Sequence, residues 1–372
     1  MCFSAFICVL LKDYAMLIER ILVVKLSDIG DVLTATPALR ALRQSFPAAR
    51  LDILLPPHSA PVLEGSPLAD ELITFEKSLY DRPLSALRPE NLAATFRLGL
   101  ALRRRGYDHF ILLHHLTTRW GAMKFAALAL VSGAKRRIGL DNGRGWFLTD
   151  RIEDRGFGHK HEVEYCLEVV GRLGAETEDR RLEIAISPAD ENLAEEKLRG
   201  FEERGKPLIA VHPGTGGYIP ARRWMPERFA RVAEALAEGY GAKIVLVGRE
   251  DDGVAEVETC MKLEVLNLAG KTTLKELAAV LRRCHLFIGA DSGVMHLAAA
   301  AGVPVVALFG PTNPAAWGPW GTKSVVVRAG LHCSPCSYVD FRLSKGCPMR
   351  ECIEAITPEM VLEAVGKLEI GS

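Results

Sequence analysis

Residues 285 to 314, HLFIGADSGVMHLAAAAGVPVVALFGPTNP, put an Asp-Ser-Gly after one apolar run, a histidine one turn into the next helical stretch, and a Gly-Pro-Thr after the next apolar run. In open parallel sheets ligands bind beyond the carboxyl ends of the strands, where helix N-termini present free amides. Asp291, Ser292 and Gly293 fall at such an end. The amides of Ser292, Gly293 and Val294 suit an anion such as a phosphate, Gly293 lets a ligand approach the backbone, and His296 faces the same opening. A carboxylate aimed at that phosphate would repel it, so Asp291 is expected to cap the helix or to accept from a sugar hydroxyl. The plain alternative is a cap followed by a packed histidine.

A second candidate is VHPGTGGYIPARRWMPERF, a Gly-rich loop followed by Arg222, Arg223, Trp224 and a Pro-started helix. Guanidinium groups suit a diphosphate leaving group because the planar fork binds two oxygens and stays charged at any working pH. The alternative is a solvated basic turn with Trp224 as a packing anchor. The third, KLSDIGD, contains neither GxGxxG nor a P-loop, which argues against a nucleotide phosphate on this helix. It does offer Asp31 at a helix start, where the dipole favours the anion and a carboxylate facing a sugar hydroxyl can act as general base. Asp28, three residues earlier, competes for the role, and a simple capping function is the alternative for both. Cys333, Cys336, Cys347 and Cys352 have a spacing compatible with tetrahedral zinc, but the wide second pair favours four packing thiols. The histidines of HKH, His159 and His161, read as surface residues.

These residues need strands and helices to position them. RILVVKL, a turn, the helical VLTATPALRALRQSF and the strand-like ARLDILLP form a βαβ start; YDHFILLHH and KRRIGL add strands. A polar stretch from Ala185 to Pro207 precedes a second alternation, through LIAVHPG, KIVLVG, HLFIGA and VPVVALFG. Two α/β halves with parallel sheets follow: an unassigned extension over 1–20, a first domain over 21–190 and a second over 191–372. The closing helix, TPEMVLEAVGKL, is a candidate to pack back on the first domain.

Length, 372 residues, favours two domains; 49% apolar and 25% charged residues are ordinary for a soluble globular chain. No run approaches the ~18 apolar residues of a membrane span. The N-terminus has no basic region before its apolar patch and no cleavage site, so it reads as an upstream extension, and Met16 is an alternative start. Scattered cysteines suit a reducing compartment, the cytoplasm. The formal charge is zero, yet residues 82 to 144 hold twelve Lys/Arg against three acids. Arg119, Lys135, Arg136 and Arg137, expected at strand ends near the binding crevice, are the candidates for meeting an anionic acceptor.

The segments ILVVKLSDIGDVLTATPALRAL, VHPG with RRWMPERFA, NLAGKTTLKELAAVLRRCHLFIGADSGVMHLAAAAGVPVVALFGPTNPAAWGP and CSPC with CPMREC resemble glycosyltransferase family 9, the ADP-heptose:lipopolysaccharide heptosyltransferases, in the same order from about Ile21 to Val365. The resemblance implies the GT-B fold, two Rossmann-like doubly wound domains facing a central cleft. It also implies an inverting transfer of heptose from ADP-heptose, or a similar nucleotide sugar, to the lipopolysaccharide inner core. It implies no catalytic metal and no cofactor, and the chain has no Asp-x-Asp. By similarity Asp31 matches the general base, Arg222 the family's usual lysine near the diphosphate, Thr215, Ser292, Gly293 and His296 the donor-phosphate region, and Asp291 the acid that meets the donor sugar. The first domain would take the acceptor, the second the nucleotide sugar, and the enzyme would work in the cytoplasm at the inner face of the membrane, without nucleic acid. Arg222 in place of lysine and the histidine missing from CPMREC depart from the pattern. Rival readings are a nucleotide-sugar epimerase of the same fold and a non-catalytic sugar-nucleotide-binding protein; a dinucleotide oxidoreductase is disfavoured.

Overall fold

The computed structural model describes residues 19–80, 88–215, 220–337 and 349–369. Residues 1–18 of the N-terminal extension, with Met16, and Arg82 and Cys347 lie outside the described residues. Contacts divide the chain into two compact units, the first 1–156 with 162–180, the second 157–161 with 181–372.

In the first unit the strands are β1 (Arg20–Val24), β2 (Arg50–Leu55), β3 (Glu71–Thr74), β4 (His109–Leu112), β5 (Arg136–Asp141) and β6 (Asp150–Glu153). They pair in the order β3-β2-β1-β4-β5-β6, every pair parallel. The helices are α1 (Ile29–Ser45), α2 (Pro89–Arg105), α3 (Arg119–Ser132) and α4 (Glu162–Gly171). Leu22, Val24, Leu54, Phe110 and Leu112 lie in the core with Phe125 and Ala129 of α3. The near-continuous apolar runs of β1 and β4 are what a strand covered on both faces requires. Burying a side chain such as Phe110 contributes about 1.5–3 kcal/mol. Helix α1 packs against α4, which explains why α1 is buried on nearly every side.

The second unit repeats the plan. It contains α5 (Pro188–Leu198), β7 (Leu208–His212), α6 (Pro226–Tyr240), β8 (Lys243–Leu246), α7 (Val254–Cys260), β9 (Leu266–Asn267), α8 (Leu274–Arg283), β10 (Leu286–Ala290), α9 (Gly293–Ala300), β11 (Val305–Leu308), α10 (Pro314–Trp317), β12 (Ser324–Val327), α11 (Glu351–Glu354) and α12 (Pro358–Gly366). Its sheet order is β12-β11-β10-β7-β8-β9, also parallel. Counted within each unit, both sheets have the doubly wound order 3-2-1-4-5-6, with the direction of winding reversing between β1 and β4 and between β7 and β10. Val361, Ala364 and Val365 of α12 enter the second core, against β11, β12 and α6, because their spacing lines one helix face with apolar side chains. Strands β3, β6, β9 and β12 are short and escape a reading based on long apolar runs. Among the described residues no helix is long and apolar enough to cross a membrane.

Candidate active site

In the first unit the reversal point lies where β1 and β4 end. β1 runs into Lys25, Leu26, Ser27 and Asp28, and α1 begins at Ile29. Asp28 occupies the N-cap position without a side-chain cap bond; its carboxylate is 82% exposed and meets His58 Nε2 at 3.2 Å. Asp31, half-buried in the first turn, faces a different environment. Burial pushes its carboxyl up to about 6; Lys25 opposes this, Glu162 and Asp28 add to it, and Lys77 opposes it more weakly. The helix end alone would hold Asp31 in the ordinary carboxylate range, so here burial outweighs the dipole. Lys25 is only 3% exposed. Burial works against its charge, yet Cys166, Asp31 and Glu162 together raise its pKa, keeping the ammonium charged beside the carboxylate.

β4 delivers His114 and His115 to the same end. His115 is held at both nitrogens, Nδ1 to Asp154 at 2.8 Å and Nε2 to Glu162 at 2.8 Å, with Tyr165 edge-on at 4.9 Å. Burial would lower its pKa, but Glu162 and Asp154 raise it to about 9, so at neutral pH an imidazolium bridges two buried carboxylates. Asp154 also accepts from Asn142 and from the Gly156 amide. His114, whose Nε2 lies 3.2 Å from Ser27 Oγ, is pushed well below its usual pKa by burial and by Lys25. It is neutral, and available to hydrogen-bond at the same end.

In the second unit the reversal point lies where β7 and β10 end. His212 ends β7 with Nδ1 2.9 Å from Val247 O, and Thr215 is buried. Gly214 is required there because a Cβ would lie 2.4 Å from Asp252 Cγ. Asp252 in turn accepts from the Arg249 amide at 2.8 Å. After β10, Ser292 caps α9, its hydroxyl accepting from Met295 N at 3.3 Å. The cap expected of Asp291 therefore belongs to Ser292. Asp291 is instead buried against Arg222, whose Nη1 forms an ion pair with its carboxylate and donates to its backbone carbonyl, each at 3.2 Å. An extended backbone at Ser292 starts the helix one residue later than a cap at Asp291 would, turning the Asp291 side chain toward the arginine.

Trp224 anchors that arginine. Its indole donates to Ile356 O at 2.9 Å and sits in the core, so the turn is pinned on one side while Arg222 faces Asp291 and Arg223 points to Asp251 O. His296 is 3% exposed and burial pushes it down to about 4, so the ring is neutral. Its Nδ1 has no hydrogen-bond partner among the described residues. His161, read from sequence as a surface residue, is buried: Nε2 lies 2.9 Å from Gly318 O and the ring stacks on Trp320 at 4.5 Å. The apolar indole makes burial of one histidine of the pair favourable.

The acceptor candidates divide. Arg119 opens α3 beyond β4, on the carboxyl side and exposed. Arg136 and Arg137 open β5 and so lie at its amino end, away from Asp31, and Lys135 precedes them. Arg136 is paired with Asp150 at 2.6 Å, and Arg137 donates to Phe147 O at 2.7 Å and Ala134 O at 3.0 Å. Parallel strands place all carboxyl ends on one edge, so residues that begin a strand cannot reach it. Of the four cysteines, Cys333 is exposed, Cys336 half-buried and Cys352 buried. Among the described residues no His/Cys/Asp/Glu group has the arrangement of a metal site. Sequence reading missed Lys25, His114, His115, Asp154 and Glu162; the paired histidines ending FILLHH were the available signal.

The family model described as glycosyltransferase family 9 (heptosyltransferase) matches residues 95–345. Lipopolysaccharide heptosyltransferase 3 of Escherichia coli is 29% identical over 313 residues, 81% of this chain and 86% of the relative. Lipopolysaccharide heptosyltransferase 2 of Salmonella typhimurium is 28% identical over 369 residues, 94% and 98% of the two chains. Among solved structures, the family 9 glycosyl transferase from Veillonella parvula superposes with a TM-score of 0.75 at 26% identity, covering 95% of this chain and 98% of the other. The ADP-heptose lps heptosyltransferase II of E. coli has a TM-score of 0.71 at 24% identity, covering 94% and 98%, and is alike in fold.

Proposed function

The chain belongs to glycosyltransferase family 9, with a GT-B-like pair of doubly wound sheets, and from that premise we propose that it is an inverting transferase moving heptose from ADP-heptose to the inner core of lipopolysaccharide. The observation that carries this reading is the placement of Asp31 beside Lys25 at the end of β1, with its pKa raised to about 6. A general base works best with a pKa near the working pH, since it is then ionised yet still basic enough to take a proton. The acceptor hydroxyl oxygen bonds to the anomeric carbon from the face opposite the diphosphate, the bond from that carbon to the β-phosphate oxygen breaks, and the hydroxyl proton passes to Asp31. ADP leaves with the electron pair of the broken bond.

We assign the acceptor to the first unit and the nucleotide sugar to the second. Arg222 and the amides that open α9 then meet the charge growing on the diphosphate, with Thr215, Ser292, Gly293 and His296 around the phosphates. Asp291 orients Arg222 and meets the donor sugar. The enzyme is placed in the cytoplasm at the inner face of the membrane, where a lipid-linked acceptor would be met. The test is incubation with ADP-heptose and a truncated lipopolysaccharide acceptor: a heptosylated product of inverted anomeric configuration is expected, and conversion of the donor without acceptor, or binding without transfer, sinks the proposal.

Three further outcomes follow from the same assignments. In a pH profile, kcat/KM should fall with slope as the medium drops through about 6 and level off above it, because only ionised Asp31 accepts a proton. Glu162→Gln removes a charge that raises Asp31, so the acid limb should move to lower pH; an unmoved limb in a folded variant would show that Glu162 does not tune the base. Transfer should also survive excess EDTA, since Arg222 and helix amides supply the positive potential at the diphosphate. A strict requirement for added magnesium or manganese would overturn that assignment.

A further inference from the structure

Helices α2 and α3 expose apolar side chains in register. On α2, Leu92, Phe96 and Leu100 follow one another at four-residue intervals, and Phe96 is 67% exposed. On α3, Met123 is 56% and Leu130 50% exposed, on the face away from the buried Phe125, Ala126 and Ala129. The helices pack so closely that a Cβ on Gly99 would lie 2.7 Å from Val131 Cγ1, which sets the two stripes side by side. Single exposed apolar residues are commonplace, but a contiguous patch marks an interface.

The charge around the patch selects the partner. Helix α3 contains no acid and α2 only Glu90, in its first turn. Arg97, Arg103 and Arg104 are exposed on α2 and Lys124 lies on α3 beside Met123. Other bases of this region serve the fold instead: Arg105 pairs with Asp52 at 3.3 Å and with Glu71, and Arg136 pairs with Asp150. A symmetric contact with a second copy would bring the same arginines against one another without acids to match, which like-charge repulsion opposes. An apolar stripe flanked by Lys and Arg is instead the pattern of helices that lie in the headgroup region of an anionic bilayer.

We propose that the joined outer face of α2 and α3 is a docking surface for an anionic phospholipid bilayer, with Phe96 and Met123 entering the headgroup layer and Arg97 and Arg104 meeting lipid phosphates. The idea rests for its setting on the membrane-face location given under Proposed function, and explains how an enzyme of this fold holds itself where a lipid-linked acceptor is presented. Each cation near an anionic surface strengthens binding by roughly five-fold, screened within a Debye length, so the interaction weakens with salt.

The test uses the full chain without nucleotide or acceptor, co-sedimented with vesicles of phosphatidylethanolamine and phosphatidylglycerol, and separately with phosphatidylcholine alone. Wild type is expected to bind the anionic vesicles and to be released by salt. The double variant Phe96→Ser/Met123→Ser, and separately Arg97→Glu/Arg104→Glu, should each lose about ten-fold or more of that binding. Both should transfer heptose to a delipidated, water-soluble acceptor at the wild-type rate. Absence of wild-type binding to anionic vesicles, equal binding to phosphatidylcholine, unchanged binding in either variant, or a wild-type dimer in light scattering that Phe96→Ser/Met123→Ser dissociates would overturn the proposal. Heptosyl transfer in solution is read separately, so loss of the docking surface and loss of the proposed activity give different results.

Discussion

Asp31→Asn is expected to bind ADP-heptose as wild type does and to transfer it about 100-fold or more slowly, since a positioned general base contributes roughly 10²–10⁴-fold. The amide keeps the shape of the carboxylate but cannot take the acceptor proton. Calorimetric titration of the donor beside a transfer assay separates the two effects, and near-wild-type turnover would remove Asp31 from the mechanism. The same variant carries a stability signature. The folded-state pKa of about 6 lies above the ordinary 3.8, so ionised Asp31 costs stability at pH values above about 6, and that cost disappears as the pH falls toward the lower value. The variant should therefore melt above wild type near neutral pH and lose that margin in acid. A melting point below wild type at neutral pH would mean that pairing with Lys25 outweighs burial.

Arg222→Ala is expected to lower kcat by about 10²–10³-fold, the scale seen when one preorganised donor to a developing anion is lost. It also leaves Asp291, buried and bonded to Arg222 at 3.2 Å, without that guanidinium, so stability should fall as well. The two consequences are separated by Arg222→Lys, which keeps a positive charge beside Asp291. If Arg222 serves the diphosphate, lysine recovers most of kcat and raises the donor KM modestly, because a point charge replaces a planar fork. If Arg222→Ala loses stability but keeps its kcat, the arginine is a clamp on Asp291 and the departing diphosphate is neutralised elsewhere.

The local features of this protein were legible in its sequence. Long apolar runs alternating with helical periodicity specify two α/β halves, because strand and helix burial repeat over a few residues. KLSDIGD, VHPG and the ADSG of HLFIGADSG fall at strand ends for the same reason, and each strand-to-helix turn carries its own signal. Tertiary structure alone decided what those residues meet. His115 joins Asp154, 39 residues away, and Glu162, 47 residues away, only because β4, β6 and α4 converge at one end of a sheet. Arg222 reaches Asp291 across 69 residues, which moved the helix cap to Ser292. The basic count of residues 82 to 144 said that cations were present, whereas the folded chain committed Arg105 and Arg136 to ion pairs and left Arg97 and Arg104 exposed. Charge and composition belong to the chain, but the pKa of Asp31 depends on how much water its neighbours exclude and how near Lys25 and Glu162 are brought to it. Those are properties of enclosure, and a linear order of residues does not contain them.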